Sequence, residues 1–123
     1  MYVIIVGAGK VGYHLGRLLM AQGHEMMLIE EDRSKVDLLS FEFHDAIMQG
    51  DGSMVEVLKE AGANRADVIV AATGNDEDNL VICQIAKLVF LRPRTIAAHS
   101  RPRSSENLGS VAGPSDEPAL FHG

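Results

Sequence analysis

The sequence predicts an α/β fold of the Rossmann-like, doubly wound type: a parallel sheet covered by helices on both faces, folded as a single domain. Three observations predict this fold. Five short apolar runs alternate with segments of helical period, a glycine-rich turn follows the first run, and an acidic residue ends the second. The chain has 123 residues, a length that is enough for one domain.

The apolar runs are short, as expected of strands that are buried on both faces of a parallel sheet. The first run meets glycine at Gly7, the second ends in acid, and the fifth is introduced by Pro93. The predicted strands are residues 2–6, 25–30, 46–48, 68–72 and 95–98.

The first two connecting segments have the period of amphipathic helices. Gly23 is expected to end the first helix as its C-cap, and Asp32 is expected to cap the second, over about residues 33–43. The side chains expected to face the core are Val11, Leu15, Leu18 and Leu19 in the first helix, and Val36, Leu39 and Phe43 in the second.

The third and fourth connecting segments also carry helix signals. Ser53 followed by Glu56 is a capping-box pattern, so we expect a helix that opens at Ser53 and ends near Gly62. The polar stretch 73–79 leads into an apolar helix that runs to about Val89.

A glycine fingerprint with the spacing G-x-G-x-x-G lies between the first strand and the first helix. Gly7 makes the tight turn, Gly9 lets the backbone approach a pyrophosphate, and Gly12 lets the helix pack closely on the strand. Free N–H groups at the helix start then face the phosphates, and Lys10 either pairs with phosphate or lies in solvent. The candidate binding residues of this loop are Gly7, Ala8, Gly9, Lys10, Val11 and Gly12. A fingerprint in this context predicts a dinucleotide-type binding site.

Glu30 ends the second strand, 18 residues after Gly12. An acid at this position accepts hydrogen bonds from the ribose hydroxyls of the adenosine half. A 2′-phosphate beside it would cost on the order of 4 kcal/mol at about 4 Å and an effective dielectric near 20. We therefore expect NAD(H) or a plain adenine nucleotide to bind in preference to NADP(H). Glu31 is a further candidate for cofactor binding, with a solvated loop as its alternative role.

Two more polar turns follow strands and are expected at the same carboxyl edge, where ligands bind in open α/β sheets. Asp51 and Gly52 follow the third strand, and Asp51 is a candidate for contact with the adenine amino group, with a tight turn as the alternative. Thr73 and Gly74 follow the fourth strand, where phosphate or a second ribose would pass. The acids that come next, Asp76, Glu77 and Asp78, fit a first helical turn, where negative charge favours the helix dipole.

Charge and composition exclude several classes of protein. The net charge of −6 argues against nucleic-acid binding, which needs basic surface. The histidines and Cys83 show no metal-ligand spacing, so we predict no metal site, and we predict no catalytic residue. A single cysteine is typical of a reducing compartment, and no apolar run approaches the roughly 18–20 residues that cross a bilayer. We expect a cytoplasmic protein.

Five stretches resemble the N-terminal lobe of the RCK family, also called KTN or TrkA-N, which regulates potassium uptake and conductance. The resemblance spans residues 1 to about 103. The pattern G-D-G-S followed by A-D-x-x-V-A-A-T-G-x-D-E-x-N is not a dehydrogenase pattern. The matching stretches are V-I-I-V-G-A-G-K-V-G-Y-H-L (3–15), L-I-E-E-D (28–32), Q-G-D-G-S (49–53), L-K-E-A-G-A-N-R-A-D-V-I-V-A-A-T-G-N-D-E-D-N-L (58–80) and R-P-R-T-I-A (92–97).

The resemblance implies a regulatory ligand, NAD(H) or one of the nucleotides ATP, ADP and AMP. It also implies dimers or higher rings at the inner face of the membrane, beneath a membrane-embedded K⁺ transporter or channel subunit. Nucleotide contacts are implied at Gly7, Gly9, Lys10, Val11, Glu30, Asp51, Gly52, Thr73 and Gly74.

The chain departs from the family after the fifth strand. The family has Ala-Arg there, whereas this chain has Ala97 and Ala98, so Arg101 or Arg103 is the candidate replacement. We predict a nucleotide-binding domain over residues 1–103 and an atypical, flexible tail over 104–123, with an unrecognised final helix and strand as the alternative for the tail. Two other functions stay open: the cofactor-binding domain of an NAD-dependent oxidoreductase, and an assembly subunit that has lost its ligand.

Overall fold

The computed structural model describes residues 1–90 and 93–98. Five strands form one sheet: β1 (Tyr2–Val6), β2 (Glu25–Glu30), β3 (Ile47–Gln49), β4 (Val68–Ala71) and β5 (Arg94–Ala97). Their order in the sheet is β3-β2-β1-β4-β5, and every neighbouring pair is parallel. The predicted fold class is therefore confirmed. The sites suggested at Arg101 and Arg103, and the predicted tail over 104–123, lie outside the described residues.

Four α-helices connect the strands. The helices are α1 (Lys10–Ala21), α2 (Arg33–Phe43), α3 (Val55–Glu60) and α4 (Asp76–Ile85). A 3₁₀ turn follows α2, and α4 widens into a π-helical segment at Ala86–Phe90.

Helices cover both faces of the sheet, so β1 is buried on each side. Ile4 and Val6 pack in one core with residues of α3 and α4, such as Leu58 and Ile82. Val3 and Ile5, one residue out of step, pack in the other core, which includes Phe43 of α2. A strand that is apolar on both faces has no solvent side, and this explains why its sequence does not alternate.

The predicted core stripe of α1 is wrong in part. Leu15 and Leu19 are half-buried, but Val11 and Leu18 are 51% and 53% exposed. The buried residues of this helix are Gly12 and Gly16. Because these two glycines have no side chains, α1 lies close to β1 and Phe43, and its apolar residues are displaced to the flanks.

The predicted cap of α2 is confirmed, whereas the cap of α3 is wrong. The Asp32 carboxylate accepts from the Ser34 N–H at 3.0 Å, and the Ser34 hydroxyl holds the pKa of Asp32 below its usual range. α3 begins at Val55, after Met54, and its first turn has no side-chain cap. The Ser53 hydroxyl instead donates to the Asp51 carboxylate, so the expected capping box does not form.

Three strands differ by one residue from expectation, and one of them is β5, which lies at Arg94–Ala97 and not at 95–98. β3 lies one residue later than predicted because Ala46 still belongs to the 3₁₀ turn His44–Ala46. β4 ends one residue earlier than predicted, at Ala71. All three shifts leave the loops that follow β1, β2, β3 and β4 at one carboxyl edge of the sheet.

Candidate nucleotide-binding site

A cleft of about 290 Å³ opens at the carboxyl edge of the sheet. The loops after β1, β2, β3 and β4 contribute to its walls, so residues distant in sequence meet there. Of the predicted site residues, the ones that line the cleft are Gly7, Ala8, Gly9, Glu30, Glu31, Asp51, Gly52, Thr73 and Gly74. Lys10, Val11 and Gly12 belong to α1 and are not part of this lining.

Three of the glycines around the cleft are required by the fold itself. Gly7 has φ +108°, and a Cβ there would lie 2.5 Å from the Ala72 carbonyl oxygen. A Cβ on Gly12 would lie 1.8 Å from the Gly7 oxygen, and one on Gly52 would lie 2.3 Å from Val6. These distances are far below ordinary van der Waals contact, so the missing side chains allow the loops and α1 to pack against β1 and β4.

Gly9 and Gly74 differ from those three glycines. A Cβ added at either position would meet no heavy atom within 4 Å, and neither has a positive φ. Both are exposed residues that line the cleft, one after β1 and the other after β4. Packing of the described residues does not explain why these positions are glycine. The missing side chains leave space in which a ligand could approach the backbone.

Glu30 connects the end of β2 to the glycine-rich loop. One carboxylate oxygen accepts from the Ala8 N–H at 2.8 Å, and the other accepts from the Asp32 N–H at 2.9 Å. Sequence reasoning placed Glu30 at the cleft but missed these two contacts. Each oxygen has a second lone pair, so the carboxylate can hold the loop and still accept from a ligand hydroxyl.

Asp51 forms a local turn after β3. Its Oδ1 accepts from the Ser53 N–H at 2.9 Å and from the Ser53 hydroxyl at 2.7 Å. The turn is also closed by a backbone hydrogen bond from Met54 to the Asp51 carbonyl. The tight turn, which was the alternative role of Asp51, is therefore present. Asp51 is also exposed and lines the cleft, and its contact with the adenine amino group stays a prediction.

Asn79 organises the loop after β4, and sequence reasoning missed this role. Its side chain is fully buried. Its Oδ1 accepts from the Thr73 N–H at 2.9 Å and from the Thr73 hydroxyl at 2.6 Å, and its Nδ2 donates to the Ala98 carbonyl at 2.8 Å. One amide therefore holds the Thr73 wall of the cleft against the end of β5.

A signal for Asn79 was present in the sequence. Asn79 precedes Ile82, Cys83 and Ala86 by three, four and seven residues, which is the spacing of one helix face. All four residues are buried. A polar residue on an apolar helix face predicts a buried hydrogen-bonding role.

The described residues that line the cleft include four carboxylates and one ammonium group. Lys35 of α2 is the cation, and neither it nor the acid Asp78 of α4 was predicted as a site residue. Lys10, the base of the fingerprint, is exposed on α1. The lining therefore has an excess of negative charge, which favours ligands with a small net charge.

Neither a cluster of metal-ligating side chains nor a helix long and apolar enough to cross a membrane occurs within residues 1–90 and 93–98. Cys83 is buried in α4, and this burial raises the pKa of its thiol. A raised pKa keeps the group in the weakly nucleophilic thiol form at neutral pH.

Comparisons with known proteins agree with this architecture. The chain is 40% identical over 111 residues to the Trk system potassium uptake protein TrkA homolog of Methanothermobacter thermautotrophicus, covering 90% of this chain and 51% of that protein. The chain thus spans about half the length of this relative. A structure described as Shewanella denitrificans Kef CTD in AMP bound form has 30% identity and a TM-score of 0.68, covering 79% of this chain and 58% of that one.

A second structure is the TrkA-N domain of the inner membrane protein ybaL from Escherichia coli. It has 26% identity and a TM-score of 0.71, covering 78% of this chain and 70% of that chain. The family model of the TrkA-N domain matches residues 3–114, and this range includes every residue that lines the cleft. The chain belongs to the TrkA-N domain family.

Proposed function

We propose that this chain is a nucleotide-binding regulatory module of a potassium transport system and is not an enzyme. In this proposal it lies in the cytoplasm at the inner face of the membrane. It assembles as a dimer or higher ring and gates a membrane-embedded K⁺ transporter or channel subunit. The proposal is supported by family membership and by the relative named as a potassium uptake protein.

One observation carries the ligand-binding part of the proposal. Gly9 faces open space in the cleft, and the carboxylate of Glu30 hydrogen-bonds the adjacent Ala8 N–H at 2.8 Å. Bare backbone at the start of α1 suits a phosphate group, and an acid beside it suits ribose hydroxyls. A single adenosine phosphate satisfies both requirements.

The ligand is NAD(H) or one of the adenine nucleotides ATP, ADP and AMP. The related Kef structure, described as AMP bound, supports the adenosine monophosphate portion. In this arrangement the ribose lies beside Glu30, the phosphate lies over Gly9, and Asp51 is available to the adenine amino group. The Glu30 carboxylate disfavours a 2′-phosphate, so NADP(H) binds more weakly.

Regulation requires a ligand that binds two arrangements of the assembly with different affinity, and the shift cannot exceed that difference. The walls of the cleft are not independent loops. Glu30 ties β2 to the glycine-rich loop, and Asn79 ties the loop after β4 to the end of β5. A ligand that moves one of these two loops therefore also acts on the strand that is hydrogen-bonded to it, β2 or β5.

A thermal-shift series tests the proposed function. NAD, NADH, ATP, ADP and AMP are each added to the protein, and a ligand at about 100 times its Kd is expected to add about 2.7 kcal/mol to the free energy of unfolding. No shift with any of the five would favour an assembly subunit without a ligand. Steady consumption of NADH with a small carbonyl compound would instead favour the oxidoreductase alternative.

Replacing Glu30 with glutamine tests the ribose assignment. The amide keeps one acceptor but removes the charge, so NADH is expected to bind about tenfold more weakly, a loss of about 1.4 kcal/mol. The preference for NADH over NADPH is expected to narrow, because the repulsion of the 2′-phosphate is gone. Isothermal titration calorimetry measures both affinities.

Glu56→Gln is the matched control for this variant, since Glu56 is exposed on α3 and is not part of the cleft lining. The control changes the net charge by the same amount and is expected to leave both affinities unchanged. An unaltered NADH-to-NADPH ratio in Glu30→Gln would contradict the ribose role.

A further inference from the structure

Acidic side chains line the cleft on both sides of β1, the central strand of the sheet. β1 lies between β2 and β4 in the sheet. Glu30 stands at the end of β2, and Asp78 lines the same cleft from the first turn of α4, which follows β4. Gly9 lies between them, at the end of the loop that follows β1. The cleft thus has glycine backbone in the middle, the acids Glu30, Glu31 and Asp51 on one side, and Asp78 on the other.

This arrangement matches the chemistry of a dinucleotide. Such a ligand has a central diphosphate and a ribose with two vicinal hydroxyls on either side of it. Resting on the nucleotide-binding function proposed above, we propose that Asp78 determines ligand specificity by accepting hydrogen bonds from the second ribose. The cleft therefore selects a dinucleotide of the NAD(H) class over a nucleoside triphosphate.

The charge of the cleft supports the same selection. When adenosine lies beside Glu30, the outer phosphates of a triphosphate extend past Gly9 towards Gly74 and Asp78. A carboxylate repels a nearby phosphate group, whereas it can accept a hydrogen bond from a ribose hydroxyl. Lys35, the base among the described lining residues, belongs to α2, on the Glu30 side of β1.

Asp78 is positioned by the cap of its own helix. Asn75 accepts from the Asp78 N–H at 2.9 Å, which fixes the backbone of the first turn. Gly74, which directly precedes Asn75, also lines the cleft, and a Cβ at Gly74 would meet no heavy atom within 4 Å. There is therefore open space between the loop after β4 and the glycine-rich loop, where the second ribose is placed.

The same first turn supplies a matched control. Glu77 is exposed and carries the same charge, but it does not line the cleft. If the acids of this turn act through the helix dipole alone, Glu77→Gln and Asp78→Asn will have similar effects on binding. If Asp78 contacts the ligand, the two variants will differ.

Calorimetry of the wild type, Asp78→Asn and Glu77→Gln with AMP, NADH and ATP tests the proposal. Without added divalent cations, Asp78→Asn is expected to bind NADH about tenfold more weakly and ATP about tenfold more tightly, each a change of about 1.4 kcal/mol. AMP affinity is expected to stay unchanged because AMP ends before the second ribose. Glu77→Gln is expected to retain all three wild-type affinities.

Two results overturn the assignment of Asp78. The first is an unchanged ratio of NADH to ATP affinity in Asp78→Asn, and the second is an equal change in Glu77→Gln. In both cases AMP is still expected to bind, and binding of AMP would support the proposed nucleotide-binding function independently of Asp78. Failure of the wild type to bind any of the three ligands would overturn that function together with this inference. Thermal melting without ligand verifies that both variants fold.

Discussion

Gly9→Val is expected to abolish nucleotide binding and to leave the fold intact. The added side chain enters open space, because a Cβ at Gly9 meets no heavy atom within 4 Å. The backbone at Gly9 has φ −78°, which valine adopts. Gly9 precedes the first turn of α1 without a side-chain cap, so the loss of stability is expected to be at most about 1 kcal/mol. Calorimetry with NADH and AMP measures the loss of binding, and urea unfolding measures the stability.

Gly12→Ala is the matched control, because Gly12 belongs to the same fingerprint but is required by the fold. Its Cβ would lie 1.8 Å from the Gly7 carbonyl oxygen, a backbone atom that cannot move without shifting the loop. This variant is expected to unfold or to melt far below the wild type. A folded Gly9→Val protein with wild-type affinity for both ligands would contradict the assignment of the phosphate position.

Asn79→Ala is expected to destabilise the protein by about 2–4 kcal/mol, because it removes a buried amide that satisfies several polar groups. The Thr73 N–H and the Ala98 carbonyl both lose a partner. The variant is also expected to bind nucleotide more weakly, since Thr73 forms part of the cleft wall. Urea unfolding measures the stability, and calorimetry of the folded protein measures the affinity.

Asn75→Ala provides the comparison for this variant. Asn75 is an exposed N-cap of the same helix, and its side chain accepts from the Asp78 N–H. Loss of a cap of this kind costs typically about 1 kcal/mol. If Asn79→Ala costs no more than Asn75→Ala, the buried network does not hold the loop as described.

The strands and the fingerprint could be predicted from the sequence because their signals are local. An apolar run that ends at a glycine identifies β1, and the G-x-G-x-x-G spacing distinguishes the roles of Gly7, Gly9 and Gly12. The acid at the end of β2 was found in the same way. Each of these signals depends on a few residues that are adjacent in the chain, so it can be recognised without knowing how distant segments pack.

The errors arose where two local signals compete. Val11 and Leu18 fit an apolar stripe, but Gly12 and Gly16 allow closer contact with the sheet, and this contact determines how α1 is oriented. Ser53 fits a helix cap, but Asp51 lies two residues before it and takes its hydroxyl. Helical period and cap patterns alone do not decide such competitions.

The rest of the site could not be predicted because it depends on which loops meet. Lys35 and Asp78 are separated by more than forty residues in the chain, and they share a cleft only after β1 takes its place between β2 and β4. The contact of Asn79 with Ala98 likewise requires β5 to pair beside β4. Only the folded sheet brings these side chains together.

A crystal structure of the protein grown with NADH would show where the ligand lies. We expect the diphosphate over Gly9, within hydrogen-bonding distance of backbone N–H groups at the start of α1, and the adenosine ribose on the Glu30 carboxylate. NADH bound elsewhere, or a cleft closed by the protein's own atoms at saturating ligand, would contradict this placement.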